Sequence, residues 1–429
     1  MSQAAVVRPA RHAYPVAAIE VVLRLILDGA IGFRACTAVV RLLQPFLPEI
    51  DGVPVPNTTQ WWLLRLGLYE VQRCKERADD WIVMIDHTLQ LGARKCLLIV
   101  GIRQSVWEQL TGPLEHKHLT VLALEPVEKS HGELVDRQLQ DVADKVGVPL
   151  AILSDEGSDL TNGAALFKER HPDTHVLNDI AHKAAIVLKH ELLEDPRWDE
   201  FLKHCGQTQP RVKQTELGHL APPTLKVKAR YMNLGPLIGW GTKMLHLVDT
   251  APAERPEKLD LSRLEEKFGW IRDFRKALVD WSNVDGVINT VLEYARNEGY
   301  HAHAVAELRQ QLALVAHTAA GQRVANSLIE VVEQQSRGVK PGESLPASSE
   351  VLESLIGKGK RLQGQHSRGG FTKMILGMAA SVATLTCERV REALETISTL
   401  DLIQWCDEHL GPSLTAQRRQ ALPAMAEQK

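Results

Sequence analysis

The stretch from Trp81 to Leu193 switches between short apolar runs and helical periodicity, and this constrains the fold more than any other feature of the chain. WIVMID at 81–86, CLLIVGI at 96–102 and LTVLAL at 119–124 are short apolar runs bounded by polar or turn-forming residues, as strands require. Val135, Leu139, Val142 and Val146 then recur at helical spacing, and PLAILSDEG returns to a strand-like run. LTNGAALFKER reads as a short helix, HVLNDI at 175–180 as a fifth strand, and HKAAIVLKHELL as the helix after it. The order βββαβαβα predicts an α/β core with its strands in one sheet.

Helical patterns flank this core. From about residue 16 to 47 the apolar positions imply two helices joined by a turn near Asp28 to Gly32. A third helix follows PEIDGVPVP, with Asn57 or Thr58 as its cap and a break at Leu66 and Gly67. Two readings of this segment stand side by side: a plain three-helix packing unit, or a helix-turn-helix. In the second, Thr58, Thr59 and Gln60 face base edges and Arg65 faces phosphate.

Residues 206–230, rich in Gln, Pro and Lys, read as a linker or extended arm. Beyond them Trp270, Phe274, Leu278 and Trp281 keep helical spacing, as do residues from Val305 to Val332, so this block is expected to be all helical. The expected division is 1–78 helix-turn-helix, 79–205 first part of the core, 206–345 helical insertion, 346–400 second part of the core, and 401–429 C-terminal tail.

Composition removes several classes of function. Fifty Lys and Arg against 53 Asp and Glu give a net charge of -3, which excludes a uniformly basic nucleic-acid binder but not a locally basic groove. Six scattered cysteines without a CxxC pair fit neither a disulfide framework nor a cysteine zinc site. No long apolar run suggests a signal peptide or a membrane span, so a cytoplasmic protein is expected. Walker and GxSxG motifs are also absent.

Two of the strand-like runs end in an aspartate, Asp86 in VMIDHT and Asp155 in ILSDEG. Carboxylates at strand ends point into the crevice of an open sheet, where two together call for a cation. Mg²⁺, or Mn²⁺ in its place, suits such oxygen ligands and leaves positions for phosphate, which suggests phosphoryl transfer. Taken singly, each aspartate is also an ordinary turn former. Candidates for a third acid are Asp179, Glu350 and Glu353. Glu353 is preferred because Lys360 follows seven positions later on the same helical face, whereas Glu350 is explained by the helix dipole alone. Residues 354–387 hold Lys358, Lys360, Arg361, Arg368 and Lys373 but no Asp or Glu, a basic stripe suited to a phosphate backbone or to plain solvated surface.

Aspartates on the first and fourth strands, with a glutamate on a later helix, resemble the RNase H-like DDE transposases of bacterial insertion sequences. WIVMIDHT, AILSDEGSDL, HVLNDIAHKAAIVLK and SSEVLESLIGKGK carry the resemblance, together with the N-terminal helices. It implies Asp86, Asp155 and Glu353 as a metal-binding triad, Lys358, Lys360 and Arg361 on DNA, and a homodimer or larger assembly on the element's ends. One branch of such enzymes has Tyr and Arg where this chain has Pro346 and Ser349, with Lys360 in its expected place. A nuclease that cuts without joining and a DNA-binding protein without a working metal site are the alternatives. His87 and His182 stand close to the acids without an assigned role. The tryptophans Trp240, Trp270 and Trp281 are candidates for core packing or for stacking on a base.

Overall fold

The computed structural model describes residues 7–46, 51–91, 93–224, 234–250, 260–366, 371–412 and 414–422, and they fall into two compact units. The first is made from residues 1–177 and 349–429, the second from 178–348.

In the first unit, α1 (Val16–Leu27), α2 (Phe33–Leu43) and α3 (Pro56–Gln72) precede β1 (Trp81–Leu91) and β2 (Arg94–Arg103). A single-turn α4 (Gln104–Trp107) leads to β3 (Thr120–Val127), α5 (Gly132–Val146), β4 (Ala151–Ser154), α6 (Ser158–Arg170) and β5 (His175–Asn178). The five strands form one mixed sheet in the order β3-β2-β1-β4-β5, with β1 antiparallel to β2, β2 antiparallel to β3, and β1 parallel to β4. The strand and helix order expected from the apolar runs is therefore present, with α4 as an addition.

One face of the sheet, including Val83, Ile85, Leu97, Ile99 and Ile152, is buried against Val135, Leu139, Val142 and Val146 of α5 and Phe167 of α6. The four α5 positions are those that the helical spacing singled out, and burying these side chains supplies the main driving force for this half of the unit. β1 carries a bulge: His87 pairs with Leu97 but Leu89 with Cys96, so Thr88 is the extra residue. Such a bulge turns the strand and re-aims its side chains just after Asp86.

The second unit contains α7 (Ile180–Leu193), α8 (Pro196–Val212), α9 (Gly235–Asp249), α10 (Leu261–Phe268), α11 (Arg275–Asn297), α12 (Ala304–Ala313) and α13 (Ala319–Ser336). Its only described strands are the two-residue β6 (Tyr300–His301) and β7 (Ser344–Leu345), so the helical expectation for this block agrees with the structure. Its core is aromatic: Trp198 meets Trp281 edge-on at 4.9 Å, and Phe201 lies 5.3 Å from Phe274 and 5.9 Å from Trp270. Trp240 is half-buried beside them, with its indole N–H donating to the Leu220 carbonyl at 2.9 Å. The three candidate tryptophans thus take part in core packing.

After it, α14 (Glu350–His366), α15 (Leu376–Ala380), α16 (Cys387–Thr396), α17 (Thr399–His409) and α18 (Leu414–Ala421) return to the first unit. Several expected boundaries need correction. Residues 206–212 are the end of α8 rather than a linker, and the second unit begins at 178 because α7 packs on α8, α11 and α13. Residues 225–230 of the expected arm, and Arg368, lie outside the described residues. Residues 399–421 are two helices rather than a tail, and α17 packs on α3 and β3.

The N-terminal helices are not a separate module. α3 runs unbroken through Gly67, and is packed by α1, α2, α15, α16, α17 and β3. A Cβ at Gly67 would lie 2.1 Å from the Leu376 carbonyl oxygen, so glycine is there for close approach of α15 and not to end the helix.

Candidate active site

Asp86 follows Ile85, which pairs in parallel register with Ser154, the residue before Asp155. Asp86, within β1, and Asp155, immediately after β4, therefore stand at the same level of adjacent strands. Asp86 accepts a hydrogen bond from the His87 N–H at 2.5 Å, and Asp155 accepts one from the Gly157 N–H at 2.9 Å, just before α6 begins. α14 packs on β1 and carries both Glu353 and Lys360.

The charges around Asp86 act on its carboxyl. Burial pushes its carboxyl up to about 7, the charge of Asp155 pushes the same way, and so does Glu353, while the His87 N–H and Lys360 oppose them. Two other acids, Asp155 and Glu353, and one lysine, Lys360, thus bear on the Asp86 carboxyl. Of the other third-acid candidates, Asp179 is buried and caps α7, accepting from the Ala181 N–H at 2.6 Å. The donor chemistry fits a hard divalent cation, which would offset the like charges. Among the described residues, however, no three His, Cys, Asp or Glu side chains stand close enough together to hold a metal ion.

Behind Asp86 lies a polar network that sequence reasoning missed. Asp159, in the first turn of α6, accepts from Lys95 Nζ at 2.7 Å and lies 2.9 Å from His87 Nε2 through the same oxygen. Ser130 Oγ is 3.2 Å from that imidazole nitrogen. Burial alone would raise the Asp159 carboxyl, but hydrogen bonds from Lys95 and Ser130 and the charges of His87 and Lys95 hold it well below the carboxylate range. His87 Nδ1 is buried with no hydrogen-bond partner. The signal that could have revealed this network is the Asp four positions after Asp155 in SDEGSD, which puts a second acid one turn into the helix.

The basic stripe lies on α14, where Lys360 and Arg361 are exposed and Lys358 is half-buried. The turn before β3 packs against this helix. The His116 imidazole donates to the Val351 carbonyl in the first turn of α14, and burial, followed by the charges of Lys358 and, more weakly, Arg361, lowers its basicity. Nothing in the sequence pattern joined His116 to this helix.

The residues expected to read DNA from α3 are placed differently. Thr59 is fully buried, and its hydroxyl donates to the Pro56 carbonyl at 2.8 Å. Arg65 is 9% exposed, and its guanidinium donates to the carbonyls of Leu394 and Ile397 at the end of α16. Thr58 and Gln60 are half-buried, with the Gln60 amide 3.2 Å from Met374 Sδ. Arg65 therefore ties α16 to α3 and does not face outward to phosphate, because a helix packed on every side has no face left for a groove.

No protein-family model and no curated protein matches the chain. Among solved structures it is similar to the Drosophila P element transposase strand transfer complex, at 10% sequence identity and a TM-score of 0.44, over 89% of this chain and 94% of that one. No helix among the described residues is long and apolar enough to cross a membrane.

Proposed function

We propose that this chain is a DDE-type DNA transposase with an RNase H-like core, binding the ends of an insertion sequence and cutting and joining DNA. The observation that carries the reading is that Asp86 and Asp155 stand at the same level of adjacent parallel strands while α14, which carries Glu353 and Lys360, packs on β1. Asp86, Asp155 and Glu353 would hold Mg²⁺ or Mn²⁺, which when bound would activate the attacking oxygen and stabilise the leaving one. Lys358, Lys360 and Arg361 would contact phosphate beside those acids, and a homodimer or larger assembly on DNA goes with this function.

The reading is tested with a supercoiled plasmid and Mn²⁺ or Mg²⁺, scoring nicked and linear products, with a labelled oligonucleotide added to detect joining. Metal-dependent cleavage that Asp86→Asn and Glu353→Gln each abolish, with DNA binding retained, is the expected result. Cleavage without joining would leave a nuclease.

One observation favours a second reading, a DNA-binding protein without metal chemistry: among the described residues no three acids are at ligand separation. It predicts plasmid binding that is indifferent to metal and to Asp86→Asn, with no cleavage under either ion.

A further inference from the structure

Successive side chains of a strand point to opposite faces of the sheet. In β1, Val83 and Ile85 lie against α5 and α6, and the His87 ring continues that face to Ser130 and Asp159. Asp86, between Ile85 and His87, therefore stands on the other face. The parallel pairing of β1 with β4 ends at Ile85 and Ser154, one residue short of each aspartate. Among the described residues no ladder pair then fixes Asp86 relative to Asp155.

What links the two is the polar network on the α5 and α6 side. Asp159 Oδ2 accepts from Lys95 Nζ of β2 at 2.7 Å and lies 2.9 Å from His87 Nε2. Asp159 is one helical turn past Asp155, and the two close around Gly157. The Gly157 N–H donates to Asp155 Oδ1 at 2.9 Å, and a Cβ added at Gly157 would meet Asp155 Oδ1 at 3.0 Å and Asp159 Oδ1 at 3.5 Å. A single connection thus runs from the residue after Asp86 through Asp159 to the turn that holds Asp155. The His87 and Asp159 side chains are 13% and 11% exposed, so this link is shielded from solvent and is not a surface ion pair.

The His87 ring does more than fill space. A carboxylate bonded to an ammonium is ionised and only accepts, so Nε2 carries the imidazole proton and Nδ1 is bare. Nδ1 is buried and has no hydrogen-bond partner among the described residues. An unpaired buried lone pair is destabilising, and a phenylalanine of similar shape would not have one, so packing alone does not account for histidine at 87.

We propose that Lys95, Asp159 and His87 are positioning residues that brace β1 against the turn after β4 and so set the separation of Asp86 and Asp155. Lys95 fixes Asp159, Asp159 fixes the His87 ring, and the ring fixes the peptide whose N–H the Asp86 carboxylate accepts at 2.5 Å. The separation stands apart from any metal; its use, to present the pair to a divalent cation, rests on the metal reading of the Asp86 site.

The full chain is tested first without metal. In a chelator at pH 8, the rise in thermal midpoint that Asp86→Asn produces should shrink by about half or more when His87→Phe is also present, because acids free to part repel less. His87→Gln, whose amide can donate to Asp159, should keep most of the rise. No rise in the parent background, or a rise of the same size in the His87→Phe background, overturns the brace. Mn²⁺ alone is then titrated by electron paramagnetic resonance below the unfolding transitions. Binding that Asp86→Asn removes should weaken about tenfold or more in His87→Phe and recover in His87→Gln. Equal affinity in the parent and His87→Phe also overturns the proposal. If the parent holds no Mn²⁺ that Asp86→Asn removes, the metal reading fails, and the metal-free comparison alone decides the brace.

Discussion

Asp155 is the strongest charged influence on Asp86, exceeded only by burial in raising its carboxyl to about 7. A pair of acids set at one level of adjacent parallel strands is costly when no cation lies between them. The cost has direct consequences for stability.

Asp86→Asn is expected to stabilise the metal-free protein at pH 8 by about 1–3 kcal/mol, because it removes a buried charge and its repulsion from Asp155 and leaves the shape unchanged. Thermal unfolding in a chelator measures this. A lower midpoint in the variant would show that the aspartate pair is not under electrostatic strain.

Asp159→Asn should act in the opposite direction. Lys95 and His87 both lose their shared acceptor charge, at a cost of about 1–3 kcal/mol near neutral pH. The folded carboxyl of Asp159 titrates below its unfolded value, so its contribution is present above an unfolded pKa of about 4 and fades as pH falls through the lower folded value. Urea titrations at pH 7 and pH 3 should show the gap between variant and parent narrowing in acid. A gap that is constant with pH would assign the loss to packing.

Arg65→Ala tests the corrected role of that residue. Leaving the carbonyls of Leu394 and Ile397 without a buried donor should cost about 2–4 kcal/mol. DNA affinity of the folded fraction, read by fluorescence anisotropy at a temperature well below the transition, should be unchanged. Selective loss of DNA affinity with unchanged stability would restore the phosphate role.

Two glycines should respond with opposite signs. Gly67→Ala drives a methyl into the Leu376 backbone and is expected to cost at least about 2 kcal/mol. Gly357→Ala, in α14 with nothing within 4 Å of the added carbon, should gain about 0.5–1 kcal/mol from helix propensity. Equilibrium unfolding of both variants checks the pair, and a neutral Gly67→Ala would mean that α15 moves freely from α3.

The parts of this fold that were legible are those where one periodicity dominates. WIVMID and AILS are continuous apolar runs because their strands are covered on both faces, and Asp86 and Asp155 stand out at the ends of them. β1 extends to Leu91 through the bulge at Thr88, which no alternation pattern announces. α3 was legible as a helix but not as a buried one, although WWLLRLGLY is apolar around its whole circumference and leaves Arg65 nowhere to point but inward. The boundary at 177 and 178 was hidden because α7 and α8 have the same amphipathic pattern whichever layer they cover. Glu353 could be preferred to Glu350 from helical phase, whereas the pairing of Asp159 with Lys95 depends on tertiary placement that spacing does not encode.

The first unit is assembled from two separate stretches of chain, and this fixes when it can be completed. During synthesis Asp86 and Asp155 emerge early, but Glu353 and Lys360 follow only after the entire second unit has been made. Until then α3 also lacks α15, α16 and α17, so Trp62, Leu66 and the rest of its apolar surface have no final cover on the nascent chain. A chain cut short before residue 349 would therefore be prone to aggregate, and Glu353 and Lys360 join Asp86 and Asp155 only in a protein that is nearly whole.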